Sequence, residues 1–217
     1  MSEIACFMSF GALAPSLAKW FNLTIENHFK ADHMKRLALL TGLFFLTTAA
    51  SAAQFLLHSE EFKERGPLSR RHVLNAFGCT GHNMSPSLAW DNPPAGTKSF
   101  ALLVHDADAP TGGSGWWHWV VVNLPATTRS LVAGAGHRQG RGLPPGSIQV
   151  DTDFGHPGWG GPCPPEGGAP HNYVFTLHAL KVEKLPLPPN STAAMAGYLI
   201  NAHSLGRAVL TATYSRP

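Results

Sequence analysis

Two aspartates and two histidines stand where hydrophobic runs end and Gly- or Pro-rich turns begin. Asp106 and Asp108 close one hydrophobic run, and His118 opens the next run after the turn at residues 110–115. His171 begins a later run, directly after a stretch rich in Pro and Gly. If these runs are neighbouring strands, the turns bring the four side chains to one rim. Carboxylates and imidazoles at one rim can bind a small anion or perform acid–base catalysis.

The aspartate pair has two physical interpretations. Side chains at i and i+2 point the same way on an extended chain, so Asp106 and Asp108 would share one side of the strand end. Two neighbouring carboxylates repel each other and need a hydrogen-bond donor, a proton or a cation to compensate. In the other interpretation, each aspartate forms the turn by accepting hydrogen bonds from nearby backbone N–H groups. The pattern alone leaves both open.

The two histidines differ in their surroundings. His118 lies between Trp117 and Trp119, so strand alternation predicts that its ring points away from both neighbours. A lone strand histidine is also typical of a structural core residue. His171 follows a Pro/Gly loop, and Tyr173 at i+2 shares its side. We expect both histidines and Tyr173 to act as hydrogen-bond donors to an anionic ligand, with Asp106 orienting a histidine or accepting from an amine.

Short hydrophobic runs must position these groups. β-Branched and aromatic residues dominate the runs, and turn signals flank them, which favours a mainly β fold. The predicted strands span residues 100–104, 117–123, 173–180 and 208–214. A long irregular connection is predicted over residues 132–145, because Gly and Pro recur through it.

One stretch has a helical pattern. The spacing predicts a helix over residues 193–205, capped by Ser191 or Thr192, stopped by Gly206 and covering one side of the strands. The apolar residues at helical spacing are Met195, Leu199 and Ala202.

Several segments resemble the phosphatidylethanolamine-binding protein family, in its bacterial Raf-kinase-inhibitor-like branch. That family carries Asp-Pro-Asp-Ala-Pro, then Gly-x-Trp-x-His-Trp, then Gly-Pro-x-Pro-Pro and His-Arg-Tyr. Here the segments read DADAP over residues 106–110, GWWHW over 115–119, GPCPP over 161–165 and HNY over 171–173. The resemblance extends from Leu68 to the C-terminus and rests on all of these motifs in the right order.

The resemblance implies a fold and a pocket. The fold would be an antiparallel β-sandwich with Greek-key-like connections and one or two short helices near the C-terminus. The pocket would bind phosphate or a phospholipid-headgroup-like ligand without a cofactor, and inhibition of a partner enzyme occurs in the family. The residues implied in ligand binding are Asp106, Asp108, Trp116, His118, Gly161, Pro162, His171 and Tyr173.

Two departures from the family pattern affect this expectation. Ala107 replaces the inner Pro of the first motif, and Asn172 replaces the Arg between His and Tyr. Loss of that Arg removes a fixed positive charge near the rim, so we expect weaker anion binding than in members that carry it.

Other functions remain open at this point. An enzyme, either a hydrolase or a lyase, would use Asp106 and His118 as an acid–base pair. A surface interaction module with a vestigial pocket is a third class. A metal site is disfavoured because no zinc-type spacing such as Cys-x-x-Cys is present. Nucleic-acid binding has little support, since the formal net charge is only +3 and no basic run exceeds Arg70-Arg71.

The N-terminal part predicts export. Residues 34–52 have the layout of a signal peptide: a basic start after Met34, a short apolar core and the small-residue pattern Ala50-Ser-Ala52. A transmembrane anchor is the alternative, although the core is shorter than the ~20 apolar residues of a usual span. Residues 1–33 are interpreted as a mis-assigned start or a genuine extension. The mature domain would then span 53–217, in a periplasmic or extracellular location and without a transmembrane segment.

An exported domain would meet an oxidising compartment. Cys79 and Cys163 are its two cysteines, and we predict that they form a disulfide. Two buried free thiols are the alternative. The bond would tie an early turn to the Pro-rich loop that precedes His171.

Overall fold

β-Strands supply most of the regular structure. The computed structural model describes residues 53–217, and the predicted extension (1–33) and signal peptide (34–52) lie outside the described residues. The strands are β1 (Leu56–His58), β2 (Gly66–Pro67), β3 (Leu88–Asp91), β4 (Ser99–Asp106), β5 (Trp116–Pro125), β6 (Ser130–Leu131), β7 (Ile148–Gln149), β8 (His171–Leu180) and β9 (Ser204–Tyr214), and the helix α1 is Ala193–His203.

The strands form two sheets. The small sheet has the order β1-β3-β6, and the large sheet has the order β2-β9-β8-β4-β5-β7. Neighbouring strands are antiparallel except for β2 and β9, which pair in parallel. β4 and β5 are consecutive, whereas β8 returns after a long connection to lie on the other side of β4. This is the predicted Greek-key-like arrangement, and it places β4 between the two strands that carry the histidines.

Both faces of the large sheet are covered. Phe100, Leu102 and Val104 of β4 pack in one core with residues of the small sheet such as Trp90. Their alternating neighbours, such as Leu103, pack in a second core with α1. A strand buried on both faces is apolar at successive positions, which explains why β4 appears in the sequence as an unbroken hydrophobic run.

The helix is present, but its buried face is only partly the predicted one, since Leu199 packs against the core as a partly buried residue. Thr192 caps it, and its hydroxyl accepts a hydrogen bond from the Met195 N–H at 3.2 Å. The residues buried against the sheet are Ala193, Ala196 and Ile200, whereas the Met195 side chain is largely exposed. The chain turns directly from His203 into β9, so Gly206 lies within a strand and does not stop the helix. No helix within residues 53–217 is long and apolar enough to cross a membrane.

Candidate ligand-binding site

Strand register brings the key side chains together at one end of the large sheet. Asp106, the last residue of β4, pairs with Trp116 on β5 and with Tyr173 on β8. His171 lies two residues before Tyr173 on the same strand, and successive i and i+2 side chains share a face. The end of β4 is therefore flanked by aromatic and imidazole groups on both sides.

A β-bulge places His118 at this end. Val104 pairs with Trp119 and His105 pairs with Trp117, so His118 is an extra residue without a partner on β4. The extra residue interrupts strict alternation, because the rings of His118 and Trp119 both contact the ring of Trp159. The expectation that His118 points away from both neighbours is therefore wrong for Trp119, because it did not allow for the bulge.

The unpaired His118 is held by the Gly160 backbone instead. The Gly160 N–H donates to the His118 carbonyl at 2.9 Å, and the His118 Nδ1–H donates to the Gly160 carbonyl at 2.6 Å. Burial lowers the pKa of His118 to about 4, because the surrounding apolar groups disfavour the charged ring. His118 is thus neutral at physiological pH, and its Nδ1 proton is already used in the bond to Gly160.

Asp106 serves both as a turn former and as a partner for a histidine. Its Oδ1 accepts hydrogen bonds from the N–H groups of Asp108 and Ala109 at 2.9 and 3.1 Å. Its Oδ2 lies 2.8 Å from His171 Nδ1, and both side chains are buried. Both interpretations of Asp106 considered from the sequence therefore hold, and the carboxylate is saturated by groups of the protein itself.

Asp108 lies behind this site. Its Oδ2 accepts hydrogen bonds from the backbone N–H and the side-chain amide of Asn172 at 2.8 and 2.9 Å. These bonds lower the pKa of Asp108. Pro162 also lies behind the cavity, where its carbonyl accepts from the Leu74 N–H at 3.1 Å. Both residues support the loops around the site and do not line the cavity.

Tyr173 completes the floor between the two histidines. Its ring packs edge-on against His118, with 5.0 Å between the ring centroids. Burial raises the pKa of Tyr173, and the nearby Asp106 carboxylate raises it further. The hydroxyl therefore stays protonated beside the Asp106 carboxylate.

These groups form the floor of a cavity of about 410 Å³. Its wall is mostly apolar. Trp116 and Phe154 meet edge-to-face with their centroids 5.5 Å apart, and Phe77, which is 74% exposed, stacks on Phe154 at the rim. The cavity is lined by Leu74, Phe77, Asp106, Ala109, Pro110, Thr111, Trp116, His118, Phe154, Gly161, Cys163, Pro164, Pro165, His171, Tyr173 and Arg216.

Arg216 is the charged residue that the sequence patterns missed. It follows β9 and lines the cavity, where its Nη2 lies 3.0 Å from Glu166 and 3.2 Å from the Gly78 carbonyl. Its side chain is 26% exposed, whereas that of Glu166 is 69% exposed. Arg216 therefore supplies a positive charge to the site although Asn172 lacks one. A lone Arg near the C-terminus carries no motif, and only the pairing of β9 with β8 brings it to the cavity.

Backbone contacts and a disulfide hold the wall in place. Cys79 and Cys163 are bonded, as predicted, and are separated by 84 residues in sequence. The Gly161 N–H donates to the Asn83 side chain at 2.7 Å. A Cβ at Gly161 would lie 2.1 Å from the His72 carbonyl oxygen, so only glycine permits this approach. The wall is thus assembled from segments far apart along the chain.

The site offers no recognisable metal centre. Over residues 53–217, no three His, Cys, Asp or Glu side chains are grouped so that they could hold a metal ion.

Comparison with known proteins agrees with this architecture. The model of the phosphatidylethanolamine-binding protein family matches residues 58–215. UPF0098 protein YbcL of Escherichia coli K12 is 51% identical over 181 residues, covering 83% of this chain and 98% of that protein. The crystal structure of YbcL superposes with a TM-score of 0.73 at 50% identity, covering 76% of this chain and all of the other.

Two further relatives span most of the same region. UPF0098 protein YbhB of E. coli K12 is 48% identical over 159 residues, covering 73% of this chain and 99% of that protein. Lipoprotein LppC of Mycobacterium tuberculosis is 36% identical over 169 residues, covering 77% of this chain and 76% of that protein. With the family model matching most of the chain, and with these relatives, the chain belongs to the phosphatidylethanolamine-binding protein family.

Proposed function

We propose that the protein is an exported small-ligand-binding protein whose cavity takes an anion of the phosphate or phospholipid-headgroup type. The observation that carries the proposal is the Asp106–His171 pair on the cavity floor with Arg216 at its mouth. Family membership supports a small-ligand-binding role for this fold. The ligand itself is inferred from the chemistry of the lining groups.

The charges of the site favour an anion despite the buried carboxylate. Asp106 accepts from two backbone N–H groups and from His171, so its charge is compensated before a ligand arrives. With both ring nitrogens protonated, His171 can donate one hydrogen bond to Asp106 and another to an anion. Arg216 adds a permanent positive charge that Glu166 only partly screens, because that carboxylate is mostly solvated.

The shape of the cavity supports binding of a small organic ligand. Three aromatic side chains and three prolines make up half of the wall, and the floor carries the imidazole, carboxylate and phenol groups. Pockets of this kind bind the apolar part of a ligand against the wall and orient its polar part with a few hydrogen bonds.

Calorimetric titration with inorganic phosphate tests the proposal. We expect saturable binding by the wild type and a loss of about 1.5–3 kcal/mol in binding free energy for His171→Ala, because a charge-assisted hydrogen bond disappears. His178→Ala is the matched control, since His178 is equally buried on β8 but lies outside the cavity. Absence of phosphate binding by the folded wild type would refute the proposal.

The enzyme alternative finds less support in the contacts. Asp106 is bonded to His171 and His118 to Gly160, so no hydrogen bond joins the two residues of the proposed acid–base pair. Two lining residues could otherwise act as nucleophiles. Cys163 forms the disulfide, and the Thr111 hydroxyl donates to the Gly115 carbonyl at 3.0 Å. We therefore propose binding without turnover. A screen for esterase and phosphatase activity tests this proposal. Activity in the wild type that is lost in His118→Ala would show that the protein is an enzyme.

Export is the second part of the proposal. The signal-peptide pattern over residues 34–52 and the Cys79–Cys163 disulfide both fit an oxidising compartment. The relative LppC is named a lipoprotein, a class of exported proteins. N-terminal sequencing of protein recovered outside the cytoplasm should begin near Ala53. Mature protein that retains residues 37–49 would contradict the cleavage.

A further inference from the structure

We infer that the cavity selects a phosphate species that carries a P–OH proton, and that His118 is the residue that recognises this proton. The selected class is inorganic phosphate or a phosphate monoester. The rejected class is an oxyanion without a proton, such as a phosphate diester or sulfate. The inference rests on the proposed anion-binding function and makes it more specific.

The tautomer of His118 is fixed by its backbone partner. A carbonyl oxygen can only accept a hydrogen bond, so the 2.6 Å contact with the Gly160 carbonyl requires the proton on Nδ1. The remaining ring nitrogen, Nε2, then carries a lone pair. It has no hydrogen-bond partner among residues 53–217, and the ring lines the cavity. A ligand that reaches Nε2 must therefore bring a donor.

The neighbourhood of His118 keeps the ring neutral. Asp106 on β4 and Asp153 after β7 favour the charged ring, and His105 on β4 disfavours it. Burial outweighs these charges and lowers the pKa of His118 to about 4. Tyr173 on β8 contributes an edge-on aromatic contact and stays protonated. Nε2 is thus an acceptor throughout the physiological pH range.

His171 complements His118. Its Nδ1 is bonded to the Asp106 carboxylate, and its Nε2, on the other side of the ring, has no hydrogen-bond partner among residues 53–217. When both ring nitrogens carry a proton, Nε2 is a donor. The floor then offers a donor at His171 and an acceptor at His118. An anion that has only acceptors can accept the hydrogen bond from His171. At His118, however, a lone pair of the anion would face the lone pair of Nε2.

Phosphate chemistry matches this donor–acceptor pair. Inorganic phosphate keeps at least one P–OH near neutral pH, and a monoester has a second pKa near about 6, so a large part of it keeps one at pH 6. A diester, which is the linkage in a phospholipid headgroup, has no P–OH once ionised, and sulfate has none. The same contrast therefore separates free phosphate and monoesters from lipid headgroups.

Calorimetry at pH 6 with four probes tests the inference: inorganic phosphate, methyl phosphate, dimethyl phosphate and sulfate. We expect the first two to bind at least about tenfold more tightly than the last two, because an unmatched buried lone pair is costly. Dimethyl phosphate has one negative charge and sulfate has two. A charge effect alone would place phosphate and methyl phosphate between them, so the expected ranking cannot arise from charge.

A substitution at His118 should change the ranking. In His118→Gln, a side-chain NH₂ group can occupy the place of Nε2, which replaces an acceptor by a donor. We expect the preference for phosphate over sulfate to fall at least about fivefold, because the protein now donates to the oxygen in question. His178→Gln, a buried imidazole outside the cavity, should leave the preference unchanged.

The outcomes separate the two proposals. If sulfate or dimethyl phosphate binds as tightly as phosphate, the proton-recognition inference is overturned while the anion site stands. If none of the four anions binds the folded wild type, both proposals fail. The wild-type series needs no substitution, so it decides the matter even if His118→Gln does not fold.

Discussion

The floor and the wall of the cavity are built in different ways. The floor consists of side chains on β4, β5 and β8, whose positions follow from strand register. Most of the wall consists of loop segments around residues 74–79, 109–111 and 154–165, with Trp116 and Arg216 beside them. A disulfide and backbone contacts join the first and third segments and Arg216. The floor therefore shares the stability of the sheet, whereas the wall depends on a few long-range links. Substitutions in those links should act mainly on the free energy of unfolding, whereas substitutions on the floor should act mainly on ligand binding.

Removing the disulfide should have the largest effect on stability. The double variant Cys79→Ser/Cys163→Ser is expected to lose about 4 kcal/mol in the free energy of unfolding, because the unfolded chain regains the entropy of a long loop. Phosphate affinity should also fall, since Cys163 lines the wall. Urea unfolding of both proteins with and without reductant measures the effect. The two proteins should converge in reductant, and equal stability without reductant would contradict the role of the bond.

Adding a Cβ at Gly161 should have the next largest effect on the free energy of unfolding. Gly161→Ala brings a Cβ to 2.1 Å from the His72 carbonyl oxygen and 2.6 Å from the Leu74 nitrogen, both backbone atoms that cannot move alone. We expect a loss of about 3 kcal/mol in the free energy of unfolding. Gly197→Ala is the control, because its Cβ would meet nothing within 4 Å and it lies in α1. That change should stabilise the protein by about 0.5–1 kcal/mol, so equal effects at the two sites would refute the packing argument.

The free energy of unfolding should depend on pH because of His118 on the cavity floor. His118 has a pKa of about 4 when folded, against an ordinary value near 6.5, so the unfolded chain binds the proton more readily. The stabilising contribution is complete above about pH 6.5 and declines towards pH 4, by up to about 3 kcal/mol. The pKa of His178 is lowered in the same direction, so the wild type must be compared with His118→Asn. The unfolding free energy of that variant should depend less on pH between about 4 and 6.5. An NMR titration of His118 with a midpoint near 6.5 would contradict the shift.

Removing the positive charge of Arg216 at the mouth of the cavity should have the smallest effect, and the effect should be on phosphate binding. Arg216→Gln is expected to weaken phosphate binding by about 1 kcal/mol, because a partly solvated charge is lost from the mouth. Glu166→Gln should strengthen binding slightly, since it removes the carboxylate that competes for Arg216. Arg207→Gln makes the same charge change on β9 outside the cavity. If calorimetry finds the same loss for Arg207→Gln, the effect belongs to net charge and not to Arg216.

The floor was largely predictable from the sequence, whereas only Trp116 and Gly161 of the wall were among the residues named from the motifs. The strand ends at Asp106 and His171 follow from hydrophobic runs that stop at turns, a local signal. The bulge at His118 depends on the register with β4, and the buried helix face depends on which side the sheet covers. Arg216 and Phe154 reach the cavity only through tertiary pairing, so no spacing in the chain marks them.

The pairing of β9 with β8 has a consequence for how the chain matures. β9 is the last strand along the sequence, yet it lies between β8 and β2, and Tyr214 pairs with His171 at the cavity end. A ribosome or translocase releases β9 after the other strands of residues 53–217, so the cavity cannot be completed before residues 204–216 have emerged. Until then, β8 is an unprotected edge whose free N–H and C=O groups invite pairing with other chains. The binding site thus exists only once residues 204–216 have been made, and a nascent chain halted before residue 204 would be prone to aggregate before it could hold a ligand.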